Sequence, residues 1–275
     1  MRIGFIGAGR VGYTLSKYLN LKFHNVIGIY SKDINDAIDC ARFSISEYYK
    51  NLIDLINNCD TLFLTVNDDA IDTVVDELIS LNVCDKALIH TSGSITSDAF
   101  KDLKHSNRCV SLHPIYAFND KYNAYKEFDS AYLTLEGDRT IYPQIKALFL
   151  DKVIEIDKES KIKYHAGCVM VSNLMCALMK GASDLFKSIG INDIEIFKPL
   201  ILNNINNILE YGPAKALTGP IKRNDIGTIK KHLESLDDDL KKIYIPLSLK
   251  LVEMCSDNND YSNMLNLLEG DMKND

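Results

Sequence analysis

The amino-acid sequence predicts an α/β fold in which a doubly wound, mostly parallel sheet is followed by an all-α C-terminal domain. Three observations carry that prediction. The chain opens on an apolar run, a glycine turn and a helical pattern in immediate succession. Short apolar runs then alternate with helical patterns, as they do in a sheet built from βαβ units. Beyond about Asp157 the apolar runs stop and only the helical period remains. The expected division is a sheet domain over 1–156 and a helical domain over 157–275.

In the first unit, Ile3-Gly4-Phe5-Ile6 reads as a buried strand that runs into Gly7-Ala8-Gly9-Arg10-Val11-Gly12 and the helical pattern Tyr13 to Leu19. The glycines fit the G-x-G-x-x-G spacing of a Rossmann dinucleotide site. Gly7 makes the tight turn, Gly9 lets backbone approach a pyrophosphate, and Gly12 lets the helix pack against the strand, with unpaired N–H groups facing the anion. The second strand, Asn25 to Tyr30, ends in Ser31-Lys32-Asp33. An NAD site places a carboxylate near this position for the ribose 2′-OH, whereas an NADP site uses a hydroxyl and a cation for the 2′-phosphate. Ser31 and Lys32 fit NADP(H), with Arg10 as a second cation; the alternative takes Asp33 as the NAD-selecting acid.

A polar stretch over Asp36 to Asn57 reads as helical, and Thr61 to Val66 as a strand buried on both faces. Asn67-Asp68-Asp69 then opens a helix over Ala70 to Leu81, its acids fitting a simple cap. Val66 and Asn67 lie at the carboxyl end of a central strand, the edge where open α/β sheets bind ligands, and are expected to line the nucleotide. Ala87 to His90 is the next strand, delivering Thr91-Ser92-Gly93, small enough for a nicotinamide ring to lie against backbone. Cys109 to Leu112 ends at His113-Pro114, read either as an ordered turn or as a histidine within reach of the ring. Ser130 to Leu135 closes the sheet.

The second unit reads as helices over Ser160 to Ile189, Asp193 to Tyr211, Ile226 to Leu233 and Leu236 to Cys255, with a weak helical run at Met264 to Leu268. Gly190 and Gly212 sit just past helix ends. On one unbroken helix, His165 and Asn173 lie about 80° apart around the axis. An imidazole, the Ser172 hydroxyl and the Asn173 amide on one face of an apolar helix call for partners or a ligand. The loop from Gly212 to Asp225 offers Thr218, Lys222, Arg223 and Asp225. Arg223 suits a bidentate carboxylate, while Asp225 reads equally as a helix cap.

With 46% apolar and 25% charged residues, the composition is that of an ordinary globular protein. A net charge of −7 argues against general nucleic-acid binding. Seven cysteines with no C-x-x-C fit scattered reduced thiols, so no structural metal or disulfide is expected. The apolar stretch Val169 to Met179 is too short to span a bilayer, and the N-terminus is the first strand itself, so the expectation is a cytoplasmic protein with no membrane partner.

These residues resemble one family. The glycine loop, Tyr30-Ser31-Lys32, Thr65 to Ile71, His90-Thr91-Ser92-Gly93, Ser111-Leu112-His113-Pro114, Tyr164-His165 with Ser172-Asn173, and Ala216 to Ile221 with Arg223 and Asp225 are similar to the Rossmann-like oxidoreductases with a helical C-terminal domain of formerly unknown function. That group is related to pyrroline-5-carboxylate reductase and ketopantoate reductase. The Leu-Thr-Gly-Pro-Ile-x-Arg-x-Asp string of Leu217 to Asp225 is its most specific mark.

The resemblance implies NADPH reducing a small anionic 2-oxo acid, with ketopantoate to pantoate as the first reading. It departs from ordinary ketopantoate reductases where their helical Lys, four residues before the Asn, is replaced by Val169. His165 is therefore expected as proton donor, with Ser172 and Asn173 on the substrate oxygen and Arg223 on the carboxylate. The alternatives are reduction of a cyclic imine and an NADP-binding sensor without turnover. A homodimer through the helical domain is also expected.

Overall fold

The computed structural model describes residues 1–150, 152–255 and 260–272. The chain divides into two compact units, Met1–Ser172 and Asn173–Asp275.

The first unit holds an eight-stranded sheet in the order β3-β2-β1-β4-β5-β6-β7-β8. Its strands are β1 (Arg2–Ile6), β2 (Asn25–Tyr30), β3 (Glu47–Tyr49), β4 (Thr61–Leu64), β5 (Ala87–His90), β6 (Arg108–Ile115), β7 (Tyr132–Gly137) and β8 (Val153–Glu155). All neighbours are parallel except β6 and β7, which run antiparallel. Five α-helices connect them: α1 (Arg10–Leu21), α2 (Ile34–Ser44), α3 (Leu52–Asn58), α4 (Asp68–Ser80) and α5 (Tyr142–Leu148); α6 (Lys161–Val171) follows the last strand.

Successive side chains of a strand point to opposite faces. Phe63 of β4 and Ile89 of β5 therefore join the core under α1 with Phe5, Tyr13 and Leu15, while Leu62, Leu64 and Leu88 join the opposite core with Ile71, Leu78 and Phe100. Two covered faces explain why these strands read as unbroken apolar runs.

Three readings of the sequence change here. The strand read over Ser130 to Leu135 does not close the sheet, because β8 pairs with it on the far side, Val153 against Leu133. The stretch over Asp36 to Asn57 is two helices with an edge strand between them. Ile45 takes a left-handed backbone (φ 60°) that ends α2, and Tyr48 pairs with Ile29. Gly28 makes that pairing possible, because a Cβ there would stand 2.5 Å from the Glu47 carbonyl oxygen. His113-Pro114 is not a turn: β6 continues through it, paired to Thr134 and Leu133. Since β5 ends at His90, opposite Ser111, β6 is paired on one side only beyond that point, where a proline is tolerated.

The second unit contains α7 (Asn173–Ser188), α8 (Lys198–Tyr211), the single turn α9 (Pro213–Ala216), α10 (Ile226–Ser235), α11 (Asp238–Glu253) and α12 (Ser262–Met272). Its core is built by Ile221, Ile229, Leu233, Ile245, Val252, Tyr261, Met264 and Leu268. The helix read over Ser160 to Ile189 is two helices: Ser172, at φ −123° and ψ −81°, lies outside the helical region. Within Lys158–Ser188 one 18-residue window reaches a mean hydropathy of 1.2, apolar enough by composition to cross a membrane, but the helix is interrupted at Ser172.

Candidate active site

The glycine turn leaves the carboxyl end of β1 at Gly7, whose N–H donates to the Tyr30 carbonyl at 2.8 Å and whose φ is +105°. A side chain at Gly7 would stand 2.8 Å from Val66 Cγ1, and one at Gly12 would overlap the Gly7 carbonyl oxygen and crowd Thr65 Oγ1. The Thr65 hydroxyl donates to that same carbonyl at 2.7 Å. Gly7 and Gly12 are thus required by the packing of the protein itself. Gly9 is not, since its Cβ would meet only Thr65 O at an ordinary 3.6 Å, which leaves its openness for a ligand. Gly9 is also the N-cap of α1 and has no side chain to satisfy the first-turn N–H groups, and no acidic residue follows in that turn. That is a helix N-terminus built for an anion. Ala8 and Val11 pack against the core, and Arg10 Nη1 donates to the Phe118 carbonyl at 3.4 Å.

At the end of β2, Ser31, Lys32, Asp33, Ile34 and Asp36 line an open depression. Asp33 Oδ1 accepts from Asn35 N at 2.8 Å as the N-cap of α2. One acceptor of Asp33, the acid the sequence offers for selecting NAD, is therefore engaged in holding its own helix.

The third group forms where β4, β5 and β6 end. Asn67 is the N-cap of α4 but makes no side-chain capping bond. Asp68, one residue into that helix, accepts from Ser92 Oγ (2.8 Å) and Ser94 Oγ (3.0 Å). Ser92 Oγ in turn accepts from Ser94 N and Ile95 N, and Thr91 Oγ1 donates to Leu64 O at 3.3 Å. Asp68 therefore does more than favour a helix N-terminus: it sets the shape of the loop carrying Gly93.

Two imidazoles close on that glycine. A Cβ on Gly93 would overlap the His165 ring and stand 2.9 Å from Nε2 of both His113 and His165. The two rings meet edge to face with centroids 5.7 Å apart. His113 Nδ1 pairs with the Tyr164 hydroxyl at 2.6 Å. Burial holds His113 down to about 4, helped by the neighbouring Lys161 and His165 and opposed by Asp68, so the ring is neutral near neutral pH. Burial pushes the Tyr164 hydroxyl well above the ordinary phenol range.

Beneath them lies a residue that sequence reasoning did not single out. Lys161 is 0% exposed, and its Nζ donates to Ser111 Oγ at 2.6 Å. Burial lowers it to about 8, against the pull of Glu136 and Asp68. Glu136 is itself buried and accepts from Ser97 N and Ser97 Oγ, both at 2.7 Å. His90 donates from Nε2 to the Thr96 carbonyl at 3.0 Å and is held down to about 4 by burial, leaving Nδ1 a buried acceptor with no partner among the described residues. A lysine at the first turn of a helix reads as solvent-facing. Only the contact with Ser111, fifty residues earlier in the chain, reveals it, so no local signal could have found it.

Of the residues expected to act, the structure brings together Thr91, Ser92, Gly93 and His165 in this group, with Val66 and Asn67 on the neighbouring strand end. The Ser172 hydroxyl donates to the Cys168 carbonyl at 2.7 Å, back onto its own helix. Asn173 begins α7, and Arg223 follows α9, both in the second unit. The break at Ser172 removes the single helical face that linked His165 to Asn173. Asp225 is the N-cap of α10, accepting from Thr228 N (3.0 Å) and Thr228 Oγ1 (2.7 Å).

Residues 1–114 match a Rossmann-like family model. The N-terminal domain is Rossmann-like. Residues 131–251 match a second model, a domain of unknown function designated DUF2520. No curated protein sequence matches the chain. Among solved structures, protein TM1727 of Thermotoga maritima is 25% identical, covers 92% of this chain and 98% of its own, and superposes with a TM-score of 0.72. A Bacteroides fragilis protein bearing the name NADP oxidoreductase is 24% identical over 91% of this chain and 97% of its own, with a TM-score of 0.73. A pyrroline-5-carboxylate reductase of Coxiella burnetii shares the fold at 17% identity, covering 94% and 98% of the two chains, with a TM-score of 0.55. The Rossmann-like sheet followed by helices is thus a fold also found in oxidoreductases.

Proposed function

We propose that the protein is an NADP(H)-dependent reductase of a small anionic substrate, with a 2-oxo acid as its class and ketopantoate as the first candidate. The observation that carries this reading is the pair of imidazoles converging on Gly93, on the same carboxyl edge of the sheet as the uncapped α1 N-terminus. The pyrophosphate is assigned to the turn from Gly7 to Gly12, the 2′-phosphate to Ser31, Lys32 and Arg10, and the nicotinamide to the surface formed by Val66, Asn67, Thr91, Ser92 and Gly93. The capping bond of Asp33 favours NADP(H), as does the name of the Bacteroides relative.

Bound NADPH supplies a hydride to the carbonyl carbon, and one proton completes the alcohol on oxygen, so that a ketone, NADPH and H⁺ become an alcohol and NADP⁺. His165 gives that proton. Asn173 is assigned to the substrate by the family resemblance, Ser172 by its hydroxyl and Arg223 by the bidentate fork that suits a carboxylate. A fall in NADPH absorbance on adding ketopantoate tests the reading, and tight NADPH binding without turnover of any 2-oxo acid would refute it in favour of a sensor. The second reading, reduction of a cyclic imine, is favoured by the fold shared with the Coxiella enzyme, and pyrroline-5-carboxylate in the same assay separates the two.

A homodimer through the second unit belongs to the same proposal. It is supported by the exposed Leu174, Met175 and Leu178 on α7 and Leu200, Leu202 and Leu209 on α8.

A further inference from the structure

We propose that His113 is a catalytic residue of this site, a fixed neutral N–H donor to the heteroatom of the bond being reduced, and that Tyr164 is the positioning residue that fixes it. The inference rests on the reductase reading above.

Two rungs join α6 to β6. Lys161 and Tyr164, three residues apart on a helix, share one face, and so do Ser111 and His113, two residues apart on a strand. The ammonium of Lys161 meets Ser111 at 2.6 Å, and the hydroxyl of Tyr164 meets His113 Nδ1 at 2.6 Å. The first rung ties the helix to the strand, and the second holds the ring itself, which cannot flip without breaking its bond to Tyr164.

The direction of the second rung sets the tautomer. A phenol is the better proton donor and a ring nitrogen the better acceptor, so Tyr164 donates and Nδ1 accepts. The ring proton then resides on Nε2, the atom that stands 2.9 Å from the position a Cβ would take on Gly93. Among the described residues no hydrogen-bond partner faces Nε2. A half-buried N–H without a protein partner, beside a loop held open by a glycine, is aimed at water or a ligand.

The charged groups facing the ring decide that it donates a hydrogen bond and keeps its proton. From α6 come Lys161 and His165, and from the start of α4 comes Asp68. Burial comes first in opposing a second ring proton, Lys161 and His165 add to it, and the Asp68 carboxylate pulls the other way with the smallest effect. As the hydride reaches carbon, negative charge grows on the heteroatom and strengthens the bond from Nε2–H, while the transferred proton comes from His165. The arrangement splits the work of two imidazoles: one holds the heteroatom, the other protonates it.

The test has two arms. Histidine ¹⁵N NMR of the protein without substrate should show His113 locked with its proton on Nε2, and Tyr164→Phe should relax it to a mixture of tautomers. A wild-type ring protonated on Nδ1 alone overturns the clamp, whatever the turnover. In NADPH oxidation with ketopantoate, pyruvate or pyrroline-5-carboxylate, His113→Ala should lower kcat by about 10²–10³-fold, as loss of one such donor does. His113→Gln should recover part of it through its amide N–H, and Tyr164→Phe should lower kcat by about 10–100-fold with a smaller change in KM. NADPH binding by each variant reports that it is folded. Wild-type kcat in His113→Ala overturns the catalytic role. Failure of the wild type to oxidise NADPH with all three substrates overturns the reductase reading and the catalytic role with it, while the tautomer measurement still decides the clamp.

Discussion

Helices α6 and α7 follow one another with a single residue between them, and they sort polarity in opposite ways. The first buries an ammonium, Lys161, at 0% exposure, while the second buries nothing and leaves Leu174 54% exposed. Ordinary partition would do the reverse. Each departure costs stability in the single chain, and such departures concentrate where function has a claim on the sequence. On α6 the claim is a site, because Lys161, Tyr164 and His165 all reach strand or loop residues at the carboxyl edge of the sheet. On α7 it is the proposed homodimer, in which a second copy would cover these residues.

The largest effect that would sharpen this contrast is acid sensitivity confined to the first unit. His90 is held down to about 4, against 6.5 in an unfolded chain. Above 6.5 both states are neutral and nothing is lost. As pH falls from 6.5 to 4, the unfolded chain takes up a proton that the folded one refuses, so stability drops across that window by about 3 kcal/mol. His113 adds a loss of the same sign over the same window. Urea titrations at successive pH values should show it, and a flat profile between pH 6.5 and 4 would mean that these rings are not buried as described.

Next in size is Gly93→Ala. The added methyl must displace His165, and a misplacement of about 1 Å at a reacting group costs about 100-fold in rate. The expected result is that loss in kcat, measured at saturating NADPH and substrate.

Lys161→Met should act in the opposite sense on stability. The ammonium is lowered to about 8 from 10.5. As pH falls from 10.5 to 8 the unfolded chain is protonated first, so the folded state is weakened over that interval and stays weaker at neutral pH. Replacing it with an apolar side chain of similar length should stabilise the protein by about 1–3 kcal/mol and flatten the profile between pH 8 and 10.5, while turnover falls. Thermal melts paired with kinetics check both halves.

The smallest change in folding stability is expected on α7. Leu174→Glu should alter the stability of the single chain by less than about 0.5 kcal/mol, yet move the sedimentation coefficient from dimer to monomer. An unchanged sedimentation coefficient, or a monomeric wild type, would break the comparison.

The sheet was legible wherever burial on both faces produced an unbroken apolar run: β1, β2, β4 and β5 stand within one or two residues of their expected bounds. Glu47–Tyr49 was not legible, because an edge strand of three residues, of which only Tyr49 packs against a core, is too short to write a pattern, and its pairing depends on Gly28 nearly twenty residues earlier. The break at Ser172 was hidden for a different reason, since apolar residues continue on both sides and only the backbone departs. At the site, Gly93 and His165 could be picked out by residue type. Lys161, Ser111 and the Tyr164 bond to His113 could not, since each is a relation between a helix and a strand about fifty residues apart.

The antiparallel step from β6 to β7 also bears on heredity. The two family models meet between residues 114 and 131, which suggests two modules that evolution could shuffle independently. The sheet says otherwise: β7 and β8 fall within the second model, yet β7 is hydrogen-bonded to β6 along six paired residues. A gene cut at that seam would yield one fragment with a raw sheet edge at β6 and another with a stranded two-strand ribbon, both prone to aggregate. The boundary between the two matched regions and the boundary of the sheet do not coincide in this chain, and a recombinant that exchanges its C-terminal half must carry the sheet partner across with it.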